Sequence, residues 1–154
     1  MLSISVKTFD ELSRDELYDM LQLRSEVFVV EQDCVYQDID GKDRKALHLI
    51  GKKEDRIVAY TRLFPGGGYF EEASIGRVVV HGKEREYGYG HDIIEASVKA
   101  IEDRFEEFRI KISAQKYLIR FYEKHGFVPV GKEYLEDGIP HIAMIRESSA
   151  GKNS

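Results

Sequence analysis

The chain has 154 residues, 42% hydrophobic and 33% charged, which suits one globular domain with a sizeable core and excludes a disordered chain. Its formal net charge of −5, with basic residues interleaved among acidic ones, argues against a nucleic-acid-binding surface. No apolar run approaches the roughly 20 residues of a membrane span.

The opening, MLSISVKTFDEL, lacks the basic head and apolar middle of a secretory signal. The single cysteine, Cys34, allows no internal disulfide, and together these features point to a reducing cytoplasm. ISVKTF, residues 4–9, alternates as a strand does. Ser13 and Glu16 spell a capping box, so a helix is predicted from Arg14, with Leu17, Leu21 and Phe28 on one face. Arg24 falls on that face where leucine is expected. A buried arginine needs acceptors, such as carbonyls or the acids of QDIDGKD, and Arg24 is read as tying the helix to that loop. The alternative is that it binds an acidic substrate group. Asp38, Asp40 and Asp43 themselves are read as turn or capping residues, with a cationic amine as the alternative partner.

ALHLIGKK, IVAYTRLF and SIGRVVVH follow as three strands, the first two joined by a short KEDR turn and the last two by PGGGYF. HDIIEASVKAIEDRF is a long helix with Ile94, Ser97, Ile101 and Phe105 on its buried stripe. RIKISAQ is a strand, and YLIRFYEKHG a short helix stopped by Gly126. FVPVGKEYL and PHIAMIRE flank an Asp137-Gly138 turn that suits a hairpin. No repeat or linker divides the chain. The order β, α, loop, β, β, β, α, β, α, β, β implies an α/β mixed sheet with helices on its faces.

Between SIGRVVVH and its helix stand Gly88 and Gly90, in REYGYGHDII. Glycine is poor inside either element, so bare backbone is needed at the junction. A helix start leaves amides unpaired, and these with the helix dipole attract phosphate; Lys83 and Arg85 add charge. The stretch is therefore a candidate pyrophosphate cradle, or else a tight turn with no ligand. It is not a dinucleotide fingerprint, because Ile93 stands where the third glycine belongs. GFVPVGK, Gly126 to Lys132, imitates a phosphate loop, but Glu133 replaces the magnesium-binding hydroxyl and Pro129 removes a donor. Gly66-Gly67-Gly68 reads as a hairpin loop. Nothing near Cys34 activates its thiol, and His81, His91 and His125 have no metal-ligand spacing.

Arg85 to Gly90, R-x-x-G-x-G after a β-branched strand, resembles the coenzyme A loop of the GNAT superfamily of N-acetyltransferases. FYEKHGF, Phe121 to Phe127, resembles that family's second signature. LRSEVFVVEQDCVYQDIDGKD, with ALHLIG, IGRVVV and PHIAM, is similar to its ElaA-like branch. The resemblance implies a single GNAT domain over 1–147, and the tail SSAGKNS, 148–154, is small and polar and expected to be disordered. The resemblance also implies a sheet whose central parallel strands, SIGRVVVH and RIKISAQ, splay apart to hold acetyl-CoA, with no metal. Arg85, Glu86, Tyr87, Gly88, Tyr89 and Gly90 would meet the pyrophosphate. Val78, Val79 and Val80 would pair with the pantetheine arm, and Gln115 would either bond that arm or close its strand. Glu86 stands where the family often has glycine, so its side chain is expected to point to solvent. Tyr122, by family position, would protonate the leaving thiolate; its alternative is packing. Glu72, His48, His141 and an ordered water chain are the candidate bases. The implied reaction is direct transfer of an acetyl group to a primary amine on a small molecule or peptide. No nucleic acid or membrane partner is expected, and a homodimer is the default assembly, though no segment marks its contact. A catalytically silent acyl-CoA sensor on the same fold is the competing expectation.

Overall fold

The computed structural model describes residues 1–147, and the element order read from the sequence is the order found there. Among these residues the elements are β1 (Ser3–Thr8), α1 (Arg14–Arg24), β2 (Leu47–Lys53), β3 (Arg56–Phe64), β4 (Ala73–Val80), α2 (Tyr89–Phe105), β5 (Arg109–Gln115), α3 (Ile119–Glu123), β6 (Val128–Glu136) and β7 (Ile139–Glu147). The tail expected over 148–154 lies outside the described residues.

The strands form one sheet in the order β1-β2-β3-β4-β5-β7-β6. Every neighbouring pair is antiparallel except β4 and β5, which run parallel and share two residue pairs, Ala73 with Ile110 and Ser74 with Lys111. Beyond Ser74, β4 stays with β3 while β5 stays with β7 as far as Gln115 opposite His141. The two halves of the sheet therefore open into a wedge. β4 also carries a bulge: Gly76 faces Arg62 and Val79 faces Tyr60, so Arg77 and Val78 together oppose Thr61. Arg77 takes φ 49°, a left-handed conformation that a side chain tolerates poorly. A bulge bends the strand that carries it, and this one sits where β4 leaves β5.

Helices cover both faces, so β3 is buried from Ile57 to Phe64, and alternation along it sorts its residues between the layers. Ala59, Thr61 and Leu63 face α2, where Ile93, Ile94 and Ile101 are fully buried and Thr61 Oγ1 lies 2.7 Å from Ser97 Oγ. Tyr60 faces α1, packed with Met20, Leu23 and Val27. The Ser13 capping box forms as expected: Ser13 Oγ accepts from the Glu16 amide at 3.0 Å, and Glu16 Oε1 accepts from the Ser13 amide at 2.9 Å.

Some local expectations are corrected. The buried face of α1 centres on Met20, Leu23 and Arg24, with Leu17, Leu21 and Phe28 on its flank. After Arg24 the helix widens into a π-helix, Ser25–Glu31, which turns Val27 inward beside Met20 and Leu23. α2 starts at Tyr89, two residues before the expected His91. The short helix opens with a 3-10 turn, Lys116–Leu118, so α3 spans five residues, and Gly126 at φ 89° ends the following turn. The Asp137-Gly138 hairpin forms with both residues left-handed, at φ 51° and 77°.

Candidate active site: a groove in the split sheet

The junction that raised the phosphate question closes as a 3-10 turn, Gly82–Tyr87, followed by Gly88 at φ 75°. Gly88 gives α2 no capping side chain, and its carbonyl accepts from both the His91 and Asp92 amides. At Gly90 a Cβ would stand 3.4 Å from the Phe121 ring, an ordinary contact. Phe121 in turn packs on His91, whose Nδ1 lies 2.8 Å from His125 Nε2. The Arg85 guanidinium donates from Nε to the Val80 carbonyl at 3.0 Å and forms an ion pair through Nη1 with Glu31 at 2.6 Å. Glu86 is exposed.

From this loop an open groove runs into the wedge. Val78, Val79, Val80, Arg85, Gly88, Gly90, Gln115 and Tyr122 all line it. Glu86, Tyr87 and Tyr89 do not line it. Tyr87 is covered by the Lys53 ammonium, 4.4 Å from its ring centroid, and packs on Tyr89 at 5.5 Å. The opposite wall comes from residues that the sequence did not assign to a site: Phe28, Glu31 and Gln32 of the π-helix and its end, and Tyr117, Leu118 and Phe121 around α3.

Past the neck of the groove lies a second cavity, floored by Ile75, Gly76, Arg77 and Val78 of β4 and by Ile112 and Ser113 of β5. Phe28, Gln32, Gln115, Leu118 and Tyr122 border both spaces. Tyr122 is 6% exposed, and burial pushes its phenol up, so it carries its proton at neutral pH. The far wall of this cavity is the β6–β7 hairpin, with Glu136, Asp137, Ile139 and His141. Cys34 reaches across to it, its Sγ 3.4 Å from the Asp137 carbonyl.

The three side chains considered as bases separate here. Glu72 lies beyond the closed end of the wedge, beside Arg109 at 3.9 Å, and lines neither space. His48 is fully buried, with Nδ1 2.6 Å from the Tyr60 hydroxyl and Nε2 2.8 Å from the Asp43 carbonyl. Burial lowers its pKa, and both ring nitrogens serve the fold. His141 lines the second cavity.

Beneath the bulge the loop acids meet three arginines. Arg24 is fully buried, with Nε 2.9 Å from Asp38 Oδ2 and Nη1 2.7 Å from Asp43 Oδ1. This is the tie between helix and loop, and it leaves Arg24 no substrate role. Arg62 makes two bonds of 2.8 Å to Asp40 and one of 3.1 Å to Asp43. Arg77 donates to the Asp38 carbonyl at 3.0 Å, and its Nε stands 2.8 Å from Asp38 Oδ1 at an angle too poor for a hydrogen bond. The aspartates are thus counter-ions of the interior, neither a solvated turn nor an amine site. Burial works to raise the Asp40 carboxyl, but the Arg62 bonds and the Lys42 amide bring it down to about 2. The signal that exposed this network was present in IVAYTRLF, where the charged Arg62 stands inside a mostly apolar strand.

The sequence profile of the family described as "Acetyltransferase (GNAT) domain" matches residues 9–148. Protein ElaA of Escherichia coli is 42% identical over 139 residues, 89% of this chain and 91% of that protein. The crystal structure of Escherichia coli ElaA superposes with a TM-score of 0.89 at 40% identity, covering 96% of this chain and all of that one (100%). A crystal structure described as an acyl-CoA N-acyltransferase from Pseudomonas aeruginosa also gives 0.89 at 40% identity, over 95% of this chain and 99% of that one. A wedge between two parallel strands, a glycine-capped loop at its mouth and this similarity along nearly the whole chain lead to one conclusion: the protein belongs to the GNAT acetyltransferase family, in its ElaA-like branch.

Proposed function

We propose that the chain transfers an acetyl group from acetyl-CoA to a primary amine by direct attack within a ternary complex. The observation that carries this reading is the wedge. β4 and β5 part after two residue pairs, and the open strand leads from the glycine loop to Tyr122. An unpaired strand edge accepts an extended ligand as an added strand, so Val78, Val79 and Val80 would pair with the pantetheine arm. Backbone amides at Arg85, Gly88 and Gly90, where the loop meets the start of α2 at the mouth of the groove, would hold the pyrophosphate. For that, the Arg85 guanidinium turns from Glu31 to phosphate, a more highly charged partner. Gln115 would bond the arm from the facing strand. The family description supports transfer of an acetyl group, and the acyl-CoA N-acyltransferase from Pseudomonas aeruginosa supports an acyl-CoA as donor.

Chemistry would occur at the neck. Holding donor and amine in line makes the attack effectively intramolecular. Tyr122, kept protonated by burial, would give its proton to the departing thiolate. Calorimetric titration with acetyl-CoA, followed by free-thiol release with a panel of primary amines, tests the reading. Binding together with amine-dependent thiol release is expected. Binding with no thiol release for any amine, unchanged by Tyr122→Phe, would instead identify a silent acyl-CoA sensor.

A further inference from the structure

We propose that His141, supported by Glu136, is the base that removes a proton from the acceptor ammonium; this rests on the transferase reading above. His141 Nδ1 lies 2.7 Å from the Ile139 carbonyl. A carbonyl only accepts, so Nδ1 holds the ring hydrogen and Nε2 is left with the lone pair. Nε2 lies 3.4 Å from Glu136 Oε2, and both residues line the second cavity together with Tyr122. His48 makes the contrast: both its nitrogens are spent on internal partners, whereas His141 spends one on its own hairpin and turns the other towards a carboxylate at the cavity wall.

The surroundings hold the imidazole in place. The Tyr134 ring stacks on it at 6.2 Å, and the Tyr134 hydroxyl is hydrogen-bonded to Ser113 on β5. Ser113 Oγ also lies 3.2 Å from Glu136 Oε1, so both carboxylate oxygens have a fixed direction. The cavity's other basic side chain, Arg77, is neutralised by Asp38 and Asp40. That leaves Glu136 and Asp137 to give the cavity a negative bias, which suits an amine arriving as its cation.

The protons balance. The ammonium gives one proton to His141 Nε2, and the freed lone pair forms the C–N bond at the thioester carbon. The C–S bond breaks as Tyr122 protonates the sulfur. The second proton lost by nitrogen restores the Tyr122 phenol, and the imidazolium releases the first to solvent. Glu136 stabilises the imidazolium and need not become protonated.

The test uses the full chain and two kinds of probe: alkylamines, which are ammonium ions at neutral pH, and trifluoroethylamine, which is largely uncharged there. His141→Gln is expected to lose at least about 100-fold in kcat/KM with alkylamines and under about 5-fold with trifluoroethylamine, since a base is needed only by the charged probe. Glu136→Gln, at a side chain 47% exposed, is expected to lose about 5- to 20-fold with alkylamines alone. The second variant serves if the first does not fold, and acetyl-CoA affinity within about 3-fold of the parent shows that the donor site is intact. Equal losses with both probes in an active enzyme overturn the base role and leave the transferase reading standing. A parent protein that binds acetyl-CoA but releases no thiol with either probe overturns both.

Discussion

Tyr122 sits where the two cavities meet, and burial holds its phenol in the proton-donating form well above neutral pH. Tyr122→Phe keeps the ring that packs on Phe121 and Phe127, so acetyl-CoA affinity should stay within about 3-fold while kcat falls about 100-fold or more. Arg24 makes the opposite case, a residue spent entirely on the fold. Arg24→Ala leaves Asp38 and Asp43 without one of their cations in a buried site, and urea unfolding should register a loss of about 3–5 kcal/mol. Acid acts through the same network. Asp40 has a folded pKa of about 2 against an ordinary 3.8. A depressed carboxylate stabilises the fold above its unfolded pKa and loses that contribution as pH falls through the folded one. Thermal stability should therefore drop between roughly pH 4 and pH 2, and Asp40→Asn should flatten that part of the curve. Tyr122 and the glycine loop were marked out in the sequence by their resemblance to a family signature. His141 was visible only as one of two candidate histidines alongside Glu72 and an ordered water chain, because what distinguishes it is which ring nitrogen is left free, and that depends on a carbonyl two residues away.

At the scale of elements, signals confined to a few neighbouring residues were readable. The capping box at Ser13 and the Asp137-Gly138 turn each follow from local chemistry and form as expected. The π-helix was not readable, since Ser25–Glu31 has no local signature and the extra width serves to seat Val27 against Met20 and Leu23. For the same reason the groove wall supplied by Phe28, Glu31 and Gln32 went unseen. The two loop glycines also separate only in three dimensions. Gly88→Ala must hold φ 75° with a side chain, which should cost about 1–2 kcal/mol and weaken acetyl-CoA binding about 10-fold or more. Gly90→Ala meets the Phe121 ring at ordinary contact distance and should alter affinity far less. Titration calorimetry on the two variants separates a conformational requirement from a packing one.

Across the whole molecule, the mixed sheet and its helix-covered faces followed from the order of hydrophobic patterns, because a strand buried on both sides and a helix buried on one leave different periods. Of the network of three arginines and three aspartates only the tie from Arg24 to the loop acids followed; Arg62 and Arg77 join it from β3 and β4, positions far apart in the chain. Where the sheet divides, β4 from Ile75 to Val80 presents amides and carbonyls that have no strand beside them on the β5 side. In solution those groups trade hydrogen with water for want of shelter. An occupant lying along them would act as a temporary extra strand and fasten the two halves of the sheet together. Deuterium uptake over residues 75–80 should then slow sharply when acetyl-CoA is added, while the β1–β2 edge keeps the pace it had before.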